Sequence, residues 1–165
     1  MSKRCLWKPV FFGTAAAVAM AAGLSWATPP SGTQSTLLGR ATLDEEFKVK
    51  RAGADDWEVE VEAKPALDVA TQVITFQPGG QSGWHTHPGP VFISVVSGTM
   101  TFYESNDPDC QPIVRTAGQV YLDAGDHPHI ARNETSATAM NVVTYLAPPG
   151  AVLRIDAPTP GNCPF

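Results

Sequence analysis

Signatures of several common chemistries are missing from this chain. It holds no H-E-x-x-H, no G-x-S-x-G and no C-x-x-C, so the hydrolytic and dithiol routes those motifs carry have no support. The glycines of Pro78-Gly79-Gly80-Gln81-Ser82-Gly83 are followed by neither Lys-Ser/Thr nor a helical pattern, which excludes a phosphate loop. Positive charge is scarce as well: 11 Lys and Arg stand against 16 Asp and Glu, for a formal net charge of -5. Nucleic acid, bound through clustered cations, is therefore not an expected partner. No stretch carries a long helical period. Histidine is sparse, with 4 in 165 residues.

What is present begins with Lys3, Arg4 and Lys8 ahead of an apolar run from Val10 to Leu24, closed by Ser25-Trp26-Ala27. A basic start, an apolar middle and small residues at the cut are the order of a secretory signal peptide. The run is about fifteen residues long, where a membrane span needs roughly twenty. Residues 1–27 therefore read as a signal peptide cleaved near Ala27, leaving no stable membrane anchor and a secreted or periplasmic product. Cleavage removes three basic residues and no acidic one, taking the formal charge to -8. Two cysteines remain, Cys110 and Cys163, and in an exported chain an even count suggests a disulfide.

Residues 28–45 open with TPPSGTQST, small and polar with two prolines, and read as a flexible lead-in with a helical turn somewhere in Leu37 to Phe47. Phe47 to Lys50 is a candidate first strand. Trp57, Val59 and Val61 then alternate with Glu58, Glu60 and Glu62, the period of a half-buried strand with one solvated acidic face. From Val69 onward the chain is nearly continuous in short strands: Val69–Gln77, Val91–Ser97, Met100–Glu104, Gln119–Leu122, Ile130–Arg132, Met140–Leu146 and Val152–Ile155. Turn residues separate them, and the pattern is that of an all-β sandwich or barrel over residues 46–165.

The four histidines are sorted into two H-x-H pairs, His85 with His87 and His127 with His129. In a strand that spacing sends both imidazoles to one face, where they can chelate a metal. Gly79, His85, His87 and Gly98 fall at the spacings of the first cupin motif, and Gly118, His129 and Asn133 at those of the second. At these residues the chain resembles the cupin superfamily. It departs from the pattern at Val91, where the family has glutamate, and at Ala124 and Asp126, which replace a proline and a glycine.

The resemblance implies a cupin-type double-stranded β-helix, or jelly-roll barrel, with one divalent ion (iron, manganese or zinc) on His85, His87 and His129. With Val91 in place of the glutamate, the three ligands are neutral. His127 is either a fourth ligand or a residue beside the site. Around the ion, Gln81 is a distant oxygen donor or a turn residue, Trp84 a pocket wall or core residue, and Asn133 a backbone hydrogen-bonder. Glu104, Asp123 and Asp126 are the carboxylates nearest the motifs and the candidates for a general base, each otherwise a surface residue. A small molecule is the implied ligand or substrate. The activity is dioxygenase-like or isomerase-like, or else the barrel captures a sugar or carboxylate without turnover. Pairing through edge strands implies a homodimer.

Overall fold

The computed structural model describes residues 27–64 and 66–165. All but the last residue of the expected signal peptide lies outside them. Every regular element among the described residues is a strand. They are β1 (Ser31–Leu43), β2 (Phe47–Ala52), β3 (Glu58–Ala63), β4 (Leu67–Gln81), β5 (His85–Thr86), β6 (Val91–Ser97), β7 (Thr99–Glu104), β8 (Ile113–Thr116), β9 (Val120–Asp123), β10 (His129–Arg132), β11 (Ala139–Ala147) and β12 (Ile155–Asp156). Ten of them form one antiparallel sheet in the order β12-β5-β10-β4-β11-β6-β9, with β1 added on β4, β7 on β10 and β8 on β7. This is the all-β jelly-roll arrangement that the motif spacing implies.

The core follows from alternation. In β11, Ala139, Asn141, Val143, Tyr145 and Ala147 turn inward while Met140, Val142, Thr144 and Leu146 are only half-buried. Their inner face packs with Phe76, Val91, Ile93, Val95, Met100, Phe102 and Tyr121. Phe102 and Tyr121 stack with ring centres 4.2 Å apart. A second cluster gathers Trp84, Tyr103, Ile130, Ala157 and Cys163. Trp84 is therefore a core residue. Cys110 and Cys163 form a disulfide across 53 residues, and such a closure adds about 2–4 kcal/mol by restricting the unfolded chain. Asn162 Nδ2 donates to the Glu104 and Asp107 carbonyls at 2.9 and 2.6 Å, so the tail is fixed against the β7 turn.

Three local expectations give way. The segment expected as a flexible lead-in is the 13-residue β1, paired antiparallel along β4 from Ser31 opposite Gln81 to Leu43 opposite Leu67, with no helical turn at Leu37. Backbone pairing holds it, so most of its side chains stay exposed and it needs no apolar period. Arg40 and Thr42 clamp it to the buried Asp68 carboxylate, at 2.6 and 2.5 Å. The hairpin β2–β3 stands apart, and its acidic residues pair with Lys48 and Lys50 at 2.5–2.9 Å. Its other face is not half-buried: Trp57, Val59 and Val61 are 57%, 44% and 40% exposed. Finally, of the expected Val152–Ile155 strand only Ile155 is paired, in the two-residue β12 (Ile155–Asp156) on β5.

A three-histidine cluster and the cavity above it

The strand that follows the Gly79 turn is short, and it places His85 directly opposite His129 of β10. His87 follows two residues on, at the start of the Pro88-Gly89-Pro90 bend. The three imidazoles converge, with ring centres 4.4 to 5.2 Å apart, and one ligand atom from each lies within 4.8 Å of the others. All three are buried. His85 Nδ1 meets the Gly83 carbonyl at 2.8 Å and His87 Nδ1 the Leu153 carbonyl at 2.6 Å. A carbonyl only accepts, so both Nδ1 atoms carry the proton and each Nε2 keeps its lone pair.

Burial disfavours the imidazolium form. It pushes His87 down to about 4, with the Leu153 hydrogen bond and the Asp123 charge opposing and the charges of His129 and Arg154 adding to the effect. For His85 the same cause, joined by the charges of His129 and Arg154, drives the ring far below the ordinary histidine range. Both are neutral, as metal ligands must be, at any pH near 7.

Although position 91 lacks a carboxylate, a buried one lies on the neighbouring strand. Val91 is fully buried in the core, and its register partner across β6–β9 is Asp123. Asp123 is 1% exposed, with Oδ2 3.4 Å from His129 Nδ1 and 3.9 Å from His87 Nε2. Neither carboxylate oxygen, nor either nitrogen of His129, has a well-formed hydrogen bond. Burial works to raise the Asp123 carboxyl, but the adjacent imidazoles, His129 foremost, bring it below its usual range. Orphaned imidazole nitrogens beside an orphaned buried carboxylate suit a cation, and the donor set passes that test of fit.

The second H-x-H pair does not behave like the first. His127 precedes β10, and its Nδ1 meets Asp126 Oδ1 at 2.6 Å while Nε2 is 3.7 Å from Glu104 Oε2. It is not in the cluster. Glu104 also accepts from the Tyr121 hydroxyl at 2.9 Å, and burial together with that bond pushes the Tyr121 phenol up. Gly125, at φ +84°, takes the tight turn that the family pattern assigns to position 126. A Cβ there would sit 2.6 Å from the Gly89 carbonyl oxygen.

Other expected site residues have supporting positions. Gln81 Oε1 accepts from the Gly83 N–H at 3.2 Å, bracing the turn whose carbonyl holds His85. Asn133, fully buried, donates to the Phe76, Gln77 and Ala137 carbonyls at 2.8–3.1 Å. Neither lines the cavity.

Above the histidines lies a small inner chamber of about 30 Å³ lined by all three, with Ile93, Ala131, Asn141 and Val143. It shares His85, His87, Phe76 and Tyr145 with an outer cavity of about 170 Å³. The outer walls add Pro30, Thr33 and Ser35 around β1, Gln72 of β4, and Leu153 and Arg154. Tyr145 donates to Gln72 Oε1 at 2.9 Å, and burial pushes its phenol up to about 12 against the opposing Arg154 charge. Gln72, Tyr145, Leu153 and Arg154 carry no motif and were not legible as site residues. They enter the site through register and the fold of the tail.

The cupin domain family matches residues 72–145. Several solved structures are similar to the chain. The polyketide cyclase RemF from Streptomyces resistomycificus is 13% identical, over 79% of this chain and 75% of that one, with a TM-score of 0.52. A conserved protein with a double-stranded β-helix domain from Klebsiella pneumoniae is 19% identical, over 71% and 88%, at 0.47. An oxalate oxidase is 25% identical over 46% of this chain and 40% of that one, at 0.41. No curated protein matches the chain. An all-β sheet with a histidine-floored cavity is thus a cupin-type architecture, and residues 72–145 carry the cupin domain.

Proposed function

We propose that this chain is an exported metal-binding cupin in which His85, His87 and His129 hold one divalent ion, iron, manganese or zinc, and that a small molecule reacts beside it. The observation that carries this reading is the convergence of three buried imidazoles, two of them fixed as lone-pair donors by backbone carbonyls. An ion held there supplies Lewis acidity, and iron or manganese adds redox capacity. The protein's own groups do the rest. Asp123 offsets one positive charge from behind the histidines, and Tyr145, its proton given to Gln72, presents its hydroxyl oxygen to the cavity. Ile74, Phe76 and Leu153 keep the approach dry.

Among the described residues that line the two chambers there is no Asp or Glu. Isomerisation by proton shuttling needs a base at the substrate, so the dioxygenase-like form of the proposal is favoured over the isomerase-like one. The same observation supports the second reading, capture of a small ligand without turnover. The disulfide suits an oxidising compartment, in keeping with export.

Elemental analysis of the protein purified without added metal, beside an H85A/H87A variant, tests the proposal. Near-stoichiometric iron or manganese absent from the variant supports redox chemistry and leads to oxygen-uptake assays. Zinc favours Lewis-acid chemistry or capture. A folded wild type that takes up no metal on reconstitution overturns the metal reading.

A further inference from the structure

The walls of the outer cavity carry a charge that the histidine cluster does not need. Arg154 lines that cavity with His85 and His87. Its Nε donates to Asp156 Oδ1 at 2.5 Å, which orients the guanidinium, while Nη2 is buried and has no partner. Asp156 is about half exposed, at 51%, so water screens its charge on the outer side. Apart from Asp156 on the outer side, no carboxylate is in reach of the cavity lining: no Asp or Glu of the described residues lines either chamber.

We propose that the outer cavity is a subsite for a small carboxylate, with Arg154 as the residue that selects the anion and the histidine floor beneath it. The assignment rests on the metal reading above. An oriented guanidinium with its buried Nη2 still free to donate suits the planar geometry of a carboxylate. A tetrahedral phosphate dianion would call for more than one cation, and among the described residues Arg154 is the single Lys or Arg in the lining. Size agrees: an apolar cavity of about 150 Å³ holds benzene, and this one is about 170 Å³. Gln72, Thr33 and Ser35 add neutral polar edges for a hydroxyl or carbonyl on the same ligand, and Phe76 and Ile74 an apolar side. The position is coupled to the floor, because the preceding residue, Leu153, supplies the carbonyl that fixes His87.

Titration calorimetry with acetate, benzoate and succinate as probes, and with benzamide and inorganic phosphate as comparators, tests the subsite. Wild type, R154Q and R154K are measured in the same buffer, with metal content and near-ultraviolet circular dichroism taken on each sample. Wild type is expected to bind at least one carboxylate, and to bind benzoate more tightly than benzamide. In R154Q, carboxylate affinity falls about tenfold or more, with metal content unchanged, and R154K lies between.

Equal carboxylate binding by wild type and a folded R154Q overturns the assignment. So does a wild type that holds metal and binds none of the three carboxylates, a result that leaves the metal reading intact. Tighter binding of phosphate than of every carboxylate overturns the ligand class. Carboxylate binding that depends on Arg154 in a protein devoid of metal supports the subsite while sinking the metal reading. Should R154Q fail to fold, R154K and the benzoate-to-benzamide ratio of wild type decide the matter.

Discussion

His85-Thr86-His87 and His127-Pro128-His129 have the same spacing and opposite outcomes. In the first pair both rings enter one buried cluster; in the second only His129 does, while His127 turns to Asp126 and Glu104. The difference lies in the backbone. His85 and Thr86 are paired strand residues, so the period of two holds. Pro128 has a fixed φ and no N–H to give a ladder, and β10 begins only after it, at His129. Equal spacing places two side chains on one face only where the residues between them are extended and paired.

The largest expected effect breaks the comparison at its centre. H129A should lose bound metal by more than the roughly 10–100-fold that removal of an outer partner costs, because a ligand itself is gone. H127A should retain it within about threefold. Competition with a chromogenic chelator reads both, and equal losses would make the two pairs equivalent after all.

Next in size is D123N, which keeps the shape beside His129 and His87 but removes the charge. Metal affinity is expected to fall about 10–100-fold, read by the same competition. If it is unchanged, Asp123 does not stand in for the carboxylate missing at Val91.

The proton linkage of His87 sharpens the first pair in the metal-free protein. Its pKa is about 4 in the folded chain against an ordinary 6.5. The unfolded chain therefore binds more protons between those values, and stability present above pH 6.5 is lost as pH falls through about 4. Urea midpoints across that window should drop for wild type and drop less for H87Q. The smallest effect is on stability at neutral pH: H127A, at a half-buried edge, should shift it by no more than about 0.5 kcal/mol, by urea denaturation.

Strand existence was well signalled where burial demanded it. The alternation in Met140–Leu146 and the β-branched run of Val91–Ser97 both became strands facing the core. β1 was not legible, because its partner β4 asks only for backbone hydrogen bonds and leaves Leu37 and Leu38 51% and 63% exposed. Trp57, Val59 and Val61 misled in the opposite direction, since alternation reports a strand but not whether anything covers its apolar face. Asp123 was readable only as one carboxylate among three. Its burial follows from the register that sets it across from Val91.

By itself the amino-acid sequence determined the barrel and the histidines that floor its cavity, because periodicity and motif spacing are local and survive in one dimension. Tertiary structure alone decided that His127 stays out, that Asp123 comes in, and that β1, Tyr145 and Arg154 wall the cavity. Those placements depend on strand register and on where the two ends of the described chain pack, and neither leaves a local trace.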